Sequence, residues 1–281
     1  MSTPRRFPVA CCLKPVAIAA ALAAAALAPS ASGAQERRSD RDFRWDGAIA
    51  AGRRLYARNL NGGIRVERAS GARVEVTAVK TWRRGDPTDA TIEITRVGPG
   101  DGDILLCVKW RDITRECNED GYRTENRRGR WDRDDDVGVE VTVRVPDGVR
   151  LDISSINGGL EIDGATGEVE AHTVNGGIEA RSSGGPINAS TVNGDIDVRM
   201  GAVGTGDLEF STTNGSIEVT VPPGLNADVS MRTVNGSVGA DFPMTVNGRI
   251  TPRRINATIG RGGQRIELTT TNGSIDLRKG S

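Results

Sequence analysis

The sequence predicts an all-β protein whose C-terminal half is a β-solenoid, a stack of 18–21-residue coils, preceded by a strand-rich N-terminal cap region. Three observations carry this. A Thr-Val-Asn-Gly motif recurs at near-constant intervals, and apolar residues sit two apart on either side of each asparagine. Glycine is abundant, 36 of 281 residues, whereas aromatics are few, with four Trp, two Tyr and four Phe. A spacing of two is the period of a strand. A motif that returns about every 20 residues marks a unit too small to bury its own core, and such units gain stability by stacking.

Residues 1–34 read as a signal peptide. Arg5 and Arg6 precede a 13-residue apolar run from Val16 to Ala28, and Ser32-Gly33-Ala34 supplies small residues before Gln35. Thirteen residues fall short of the ~20 that a membrane-spanning helix needs. No longer apolar run follows, so the expectation is an exported protein without a membrane span: periplasmic, cell-surface or extracellular. Once Arg5, Arg6 and Lys14 leave with the leader, 34 basic residues face 37 acidic ones. That balance lacks the basic excess of a nucleic-acid partner. A single His and four Cys leave little for a metal cluster or a His-based triad, so neither metal nor cofactor is expected. In an oxidising compartment Cys107 and Cys117 read as a structural disulfide.

The region 35–150 carries 46 charged residues in 116 and all four tryptophans, Trp45, Trp82, Trp110 and Trp131. Alternating stretches at Arg73–Val79, Thr91–Ile94 and Val139–Val145 predict strands with one buried face. Asn118–Asp136, charged and poor in apolar residues, reads as a loop. Within it Asp132, Asp134, Asp135 and Asp136 lack the Gly and distal Glu of a calcium loop. Trp82, Trp110 and Trp131, set among arginines, are the candidate binding surface. The tryptophans could equally cap the open end of the stack, and capping is expected for at least two of them.

The region 151–281 has 25 charged residues in 131 and neither Trp nor Tyr. Its motif centres on Asn157, Asn175, Asn193, Asn214, Asn235 and Asn272, with an early copy at Asn61 and a partial one at Asn247. Counting from the asparagine, apolar or small residues recur at −6, −4, −1, +3 and +5, as in Val169, Ala171, Val174, Ile178 and Ala180 around Asn175. The odd step from −4 to −1 changes the inward parity, so the chain must turn at Asn-Gly. The asparagines are therefore predicted as repeat corners, where Asn and Gly tolerate positive φ. A degenerate copy at Asn256 fills the long gap before Asn272, giving seven tandem units from Leu151. A sandwich of hairpins at each Asn-Gly is the rival architecture.

Stacking in register would create columns. Ser155, Thr173, Thr191, Thr212, Thr233 and Thr270 at −2 are expected to face outward, as are Glu161, Glu179, Asp197, Glu218 and Asp276 at +4. Arg181, Arg199 and Arg278 at +6 can offset the acidic column; calcium is the alternative. The asparagine amides can bond to one another along the axis.

The segments Thr-Val-Asn-Gly-Gly-Ile-Glu and Thr-Val-Asn-Gly-Asp-Ile-Asp, behind the leader and the Val-Arg-Val-Pro-Asp-Gly-Val-Arg-Leu-Asp lead-in, resemble the bacterial "putative adhesin" domain of unknown function over Leu55 to Leu277. The resemblance implies an all-β, non-enzymatic envelope or surface protein that binds or scaffolds through an unidentified protein or glycan ligand, and it transfers no catalytic residue. Two other functions compete with this. One is an envelope-stress sensor confined to the periplasm; the other is a polysaccharide-acting β-helix enzyme, which needs converging carboxylates and aromatic sugar platforms.

Overall fold

The computed structural model describes residues 41–111, 114–124, 136–246 and 251–280. The signal segment, Trp131, Asp132, Asp134, Asp135 and Asn247 lie outside these ranges. Among the described residues the regular elements are β-strands and two 3-10 turns, Pro87–Asp89 and Pro99–Asp101.

Each motif gives one strand before its asparagine and one after it. The leading strands, Arg54–Asn61, Arg150–Asn157, Val169–Asn175, Ile187–Ser190, Leu208–Asn214, Gln264–Asn272 and Ala227–Arg232, lie side by side in one sheet in that order. The trailing strands, Ile64–Arg68, Leu160–Ala165, Ile178–Ser182, Ile196–Met200, Ile217–Val221, Ile275–Lys279 and Val238–Ala240, form the second sheet in the same order. Neighbours pair in parallel throughout both runs. Hairpins at Asn-Gly would pair antiparallel, so the arrangement is all-β and solenoid-like.

Register sets the core. At −4 the row runs Ala57, Ile153, Ala171, Ala189, Phe210, Leu268, Met231, each neighbour paired with the next. At +5 it runs Val66, Ile162, Ala180, Val198, Val219, Leu277, Ala240. The −4 row and the −6 row belong to one buried cluster that also takes in most of +3 and +5. Each buried Ile, Leu or Val stabilises the stack by about 1.5–3 kcal/mol.

The corner differs from the sequence expectation. The −1 valines point out: Val174, Val192 and Val234 are 38%, 41% and 47% exposed, while Thr173, Thr191, Thr212, Thr233 and Thr270 at −2 are buried. The threonine hydroxyls explain this. Thr173 donates to the Gly158 carbonyl at 2.9 Å, Thr191 to Gly176 at 2.9 Å, Thr212 to Gly194 at 3.0 Å, and Thr270 to Gly215 at 2.9 Å. Each hydroxyl pairs a part-buried carbonyl of the adjacent coil. Positive φ is not what the corner asks of asparagine either, because Asp101 is the sole non-glycine with positive φ among the described residues. What the following glycine supplies is closeness. A Cβ on Gly158, Gly176, Gly194 or Gly215 would overlap the backbone carbonyl of the neighbouring coil.

Two further expectations change. The Asn256 segment, Arg254–Ile259, runs antiparallel to Ala227–Arg232 and adds no coil. The Asn272 unit also does not end the stack, since it sits between the Asn214 and Asn235 coils. The pattern that defines a coil is common to all of them and therefore leaves their order open.

The charged region continues the same two sheets. Arg54–Asn61 pairs directly with Arg150–Asn157 and Ile64–Arg68 with Leu160–Ala165, so the change of composition near residue 150 breaks neither sheet. Beyond the Asn61 coil, the trailing sheet adds Gly138–Val145 in parallel, then Arg73–Thr81 and Asp42–Ala48 antiparallel. The leading sheet adds Asp103–Trp110 in parallel and Ala90–Val97 antiparallel. At the far end Met244–Val246 and Arg254–Ile259 close the leading sheet with antiparallel strands. Part of the expected loop is a strand: Gly121–Thr124 forms a hairpin with Thr114–Asn118.

Candidate functional site

The concave feature nearest the corner is an open groove of about 780 Å³ on the outer face of the trailing sheet. Its origin lies in one repeat position. At +2 the first three coils carry Gly63, Gly159 and Gly177, and the fourth carries Asp195. Three missing side chains in a row hollow the surface over the Asn61, Asn157 and Asn175 coils, and Asp195 ends the hollow.

Asn61 and Asn157 line the groove at the corner side, and the asparagine column continues from them. Its amides bond in series, Asn175 to Asn157, Asn193 to Asn175, Asn214 to Asn193, Asn272 to Asn214 and Asn235 to Asn272, at 2.7–2.9 Å. Asn61, at the head of the stack, instead donates to the Val137 carbonyl at 2.7 Å. The rim toward the sheet is the +4 column of Arg65, Glu161, Glu179 and Asp197. Its acids are paired: Arg65 holds Glu161, Arg181 holds Glu179, and Arg199 reaches Asp197 at 3.5 Å. Farther along the column, Arg278 spans Glu218 at 3.8 Å and Asp276 at 3.7 Å. The arginine offset expected from the sequence is what the structure contains. Asp195 accepts from the Ser216 amide at 2.7 Å, and Glu140 from the Gly63 amide at 3.0 Å.

One end of the groove opens toward Thr81 and Asp136, which also line a smaller hollow of about 400 Å³ with Arg41, Trp82 and Arg83. The Trp82 indole is 38% exposed, with the Arg41 guanidinium 5.9 Å from its ring centre. Hydrogen bonds from the Arg84 and Arg83 amides hold the Asp136 carboxyl below the usual carboxylate range.

The tryptophans therefore part company. Trp82 lines the smaller hollow that adjoins the groove at Thr81 and Asp136. Trp110 is 8% exposed and belongs to the core cluster, because it follows Ile104, Leu106 and Val108 on the inward face of its strand; it is no binding surface. Trp45 packs against the same core from the edge strand of the trailing sheet. Both indoles pack with the core on the side of the stack beyond the Asn61 coil.

Cys107 and Cys117 are joined, with Cα atoms 6.2 Å apart. Cys107 alternates with the core residues of its strand, so the bridge clips the 114–124 hairpin to the outside of the leading sheet. Beneath the hairpin Arg58 is 3% exposed and bonded to the Asp152 carboxylate at 2.7 Å. The Tyr122 hydroxyl donates toward the Arg58 and Val108 carbonyls at 2.7 and 2.6 Å, and burial pushes its pKa up. His172 is a partner-bonded strand residue, its Nδ1 2.7 Å from the Ser190 hydroxyl. Among the described residues no group of three or more His, Cys, Asp or Glu side chains is arranged to hold a metal ion, and no helix is long and apolar enough to cross a membrane.

Fold and corner define a stack of parallel coils with a glycine-corner motif. The model of the Toastrack family, a domain of unknown function (DUF4097), matches residues 55–278, and the chain belongs to that family. The match coincides almost to the residue with the span of the resemblance read from the motifs. No curated protein matches the chain. Two distant likenesses to solved structures accompany the family match. A "putative cell adhesion protein" from Clostridium sporogenes is 9% identical, with 85% of this chain and 100% of that one covered and a TM-score of 0.47. A "putative adhesin" from Bacteroides fragilis is 10% identical over 85% and 97%, with a TM-score of 0.27. At such scores neither carries the fold or the function of this chain.

The groove was present in the sequence as the doublets Gly62-Gly63, Gly158-Gly159 and Gly176-Gly177, which give way to Gly194-Asp195. Reading +2 as a column would have found it.

Proposed function

We propose that this chain is a non-enzymatic, adhesin-like binding protein of the bacterial envelope, exported through its N-terminal leader, which lays an extended protein or glycan segment along the glycine-floored groove. The observation that carries the proposal is the run of three side-chain-free positions beside a polar rim, with the exposed Trp82 indole in the hollow that adjoins the open end. A backbone floor admits close approach of a flat or extended ligand, and an indole offers it an aromatic face. The acidic residues support binding rather than hydrolysis, since they occupy repeat positions and are engaged by arginines or backbone amides. A glycosidase needs a free carboxylate pair across its substrate.

The test is a glycan and peptide panel against the full chain, with product detection on every hit. Gly159→Gln, which fills the floor, and Trp82→Ala should each abolish binding without changing the melting temperature. Binding indifferent to both variants, or turnover of any polymer, would sink the proposal. Protease digestion of intact cells separates surface display from a periplasmic role: full protection until the envelope is opened means periplasmic binding.

A further inference from the structure

The C-terminal unit is out of order. Residues 264–279 lie between the Asn214 and Asn235 coils in both sheets, although Asn235 precedes Asn272 in the chain. The unit presents two equivalent faces. On one side the Asn272 amide donates to Asn214 at 2.7 Å and the Thr270 hydroxyl to the Gly215 carbonyl at 2.9 Å. On the other side Asn272 and the Gly273 carbonyl accept the same two bonds from Asn235 at 2.8 Å and Thr233 at 2.9 Å. Apolar rows run through it unchanged, as in Leu208, Ile266, Val229 and in Phe210, Leu268, Met231. The slot between the two coils thus reads repeat columns alone. Those columns are identical in every copy of the chain.

What makes insertion intramolecular is a short strap. Arg254–Ile259 lies on one side of Ala227–Arg232 and Gln264–Asn272 on the other, so residues 260–263 must cross the start of that strand. The crossing covers two strand spacings, roughly 9.6 Å. The strap is Gly-Arg-Gly-Gly, with φ of +60°, +71° and +124° at Gly260, Gly262 and Gly263, conformations that suit glycine. Asn226 accepts from the Arg261 amide at 2.9 Å, and the Asp228 carboxylate from the Thr258 hydroxyl at 2.7 Å and the Gly263 amide at 3.1 Å. Beside the point of entry lies an open hollow of about 500 Å³, bordered by Val203, Leu225, Asn226 and Gln264.

We infer that residues 264–279 are an exchangeable unit, and that the slot between the Asn214 and Asn235 coils is an interaction surface for the same segment of a second copy of this chain. Reciprocal exchange would rebuild every interface of the closed molecule while opening the glycine strap, the situation in which exchange of an identical element costs little. At low concentration the tether keeps the unit at home; at high concentration, or when the strap cannot close, it crosses to the partner.

Deletion of Arg261, Gly262 and Gly263 tests this. Two Cα steps then remain between Ile259 and Gln264, at most about 7.2 Å, too short for the ~9.6 Å crossing. The deletion variant of the full chain should elute at twice the monomer mass with unchanged circular dichroism. A folded monomer would overturn the inference. The second measurement needs no deletion. Ser216 and Ser237 flank Ser274: the Ser274 amide is 3.3 Å from the Ser216 hydroxyl, and the Ser237 and Ser274 hydroxyls are 3.2 Å apart. Full chains carrying Ser216→Cys and Ser274→Cys are mixed, melted and cooled together, and oxidised. The expected result is a covalent dimer at least five-fold more abundant than from Ser216→Cys mixed with Ser237→Cys, whose positions the inserted strand keeps apart. Equal yields from the two mixtures would also overturn the inference.

Discussion

Exchanging the characters of two adjacent residues tests which of them faces the core. Thr191 is 6% exposed and its hydroxyl lies 2.9 Å from the Gly176 carbonyl, whereas Val192 is 41% exposed. In Thr191→Val the shape is kept but the bond is lost. The stranded acceptor costs about 1–3 kcal/mol, and the buried methyl returns roughly 0.8 kcal/mol. The net loss should be about 0.2–2.2 kcal/mol. Val192→Thr alters an outward side chain and should stay within about 0.5 kcal/mol of the parent. Urea unfolding of the full chain provides the assay, with equal slopes as the condition for reading midpoint shifts as stability changes. Hydropathy alone gives the opposite order. Should Val192→Thr prove the more damaging variant, the corner assigned to the hydroxyl column is wrong.

Three other outcomes follow from the same geometry. Gly194→Ala drives a Cβ into the Gly176 carbonyl and should cost about 3 kcal/mol, whereas Gly206→Ala, with open space around it, should be neutral in the same thermal melt. Reducing the Cys107–Cys117 bridge, which closes a loop of separation 10 worth roughly 3 kcal/mol in chain entropy, should raise amide exchange across 114–124 while leaving the coil amides protected. Hydrogen bonds from Thr258 and then Gly263 lower the Asp228 pKa. Its contribution is therefore complete above the unfolded value near ~3.9 and disappears as pH falls through the lower folded value. Exchange at the Gly263 amide should accelerate over that interval in the parent, and the acceleration should be absent in Asp228→Asn.

Much of the fold was legible because strand periodicity is strict away from the corner. The rows at −6, −4, +3 and +5 read directly as core, and a parallel stack was the simplest way to keep them there. Leu60 is buried at −1 as expected, but in the coils with valine at −1 and threonine at −2 the two were misassigned since valine is apolar and threonine is not. The decisive partner of the threonine is a backbone carbonyl in another coil, which side-chain character does not reveal. Trp110 could have been placed: it stands two residues beyond Val108 and so shares the inward parity of Ile104 and Leu106. Trp82 lies just past the strand Arg73–Thr81, where alternation no longer speaks. The displaced C-terminal unit was beyond reach, because seven coils that satisfy one pattern fit one another in many orders.

The asparagine column gives the molecule a polarity that parallel sheets scarcely possess. Every amide in it donates toward the Asn157 end and accepts from the Asn235 side. Turning one amide over would set donor against donor on one side and acceptor against acceptor on the other, so a single flip costs two bonds. The orientation of six exposed side chains is consequently a collective property, and each bond polarises the next. A ligand that engages the amide at the groove end meets the head of a one-way relay whose tail rests at the coil beyond the C-terminal unit.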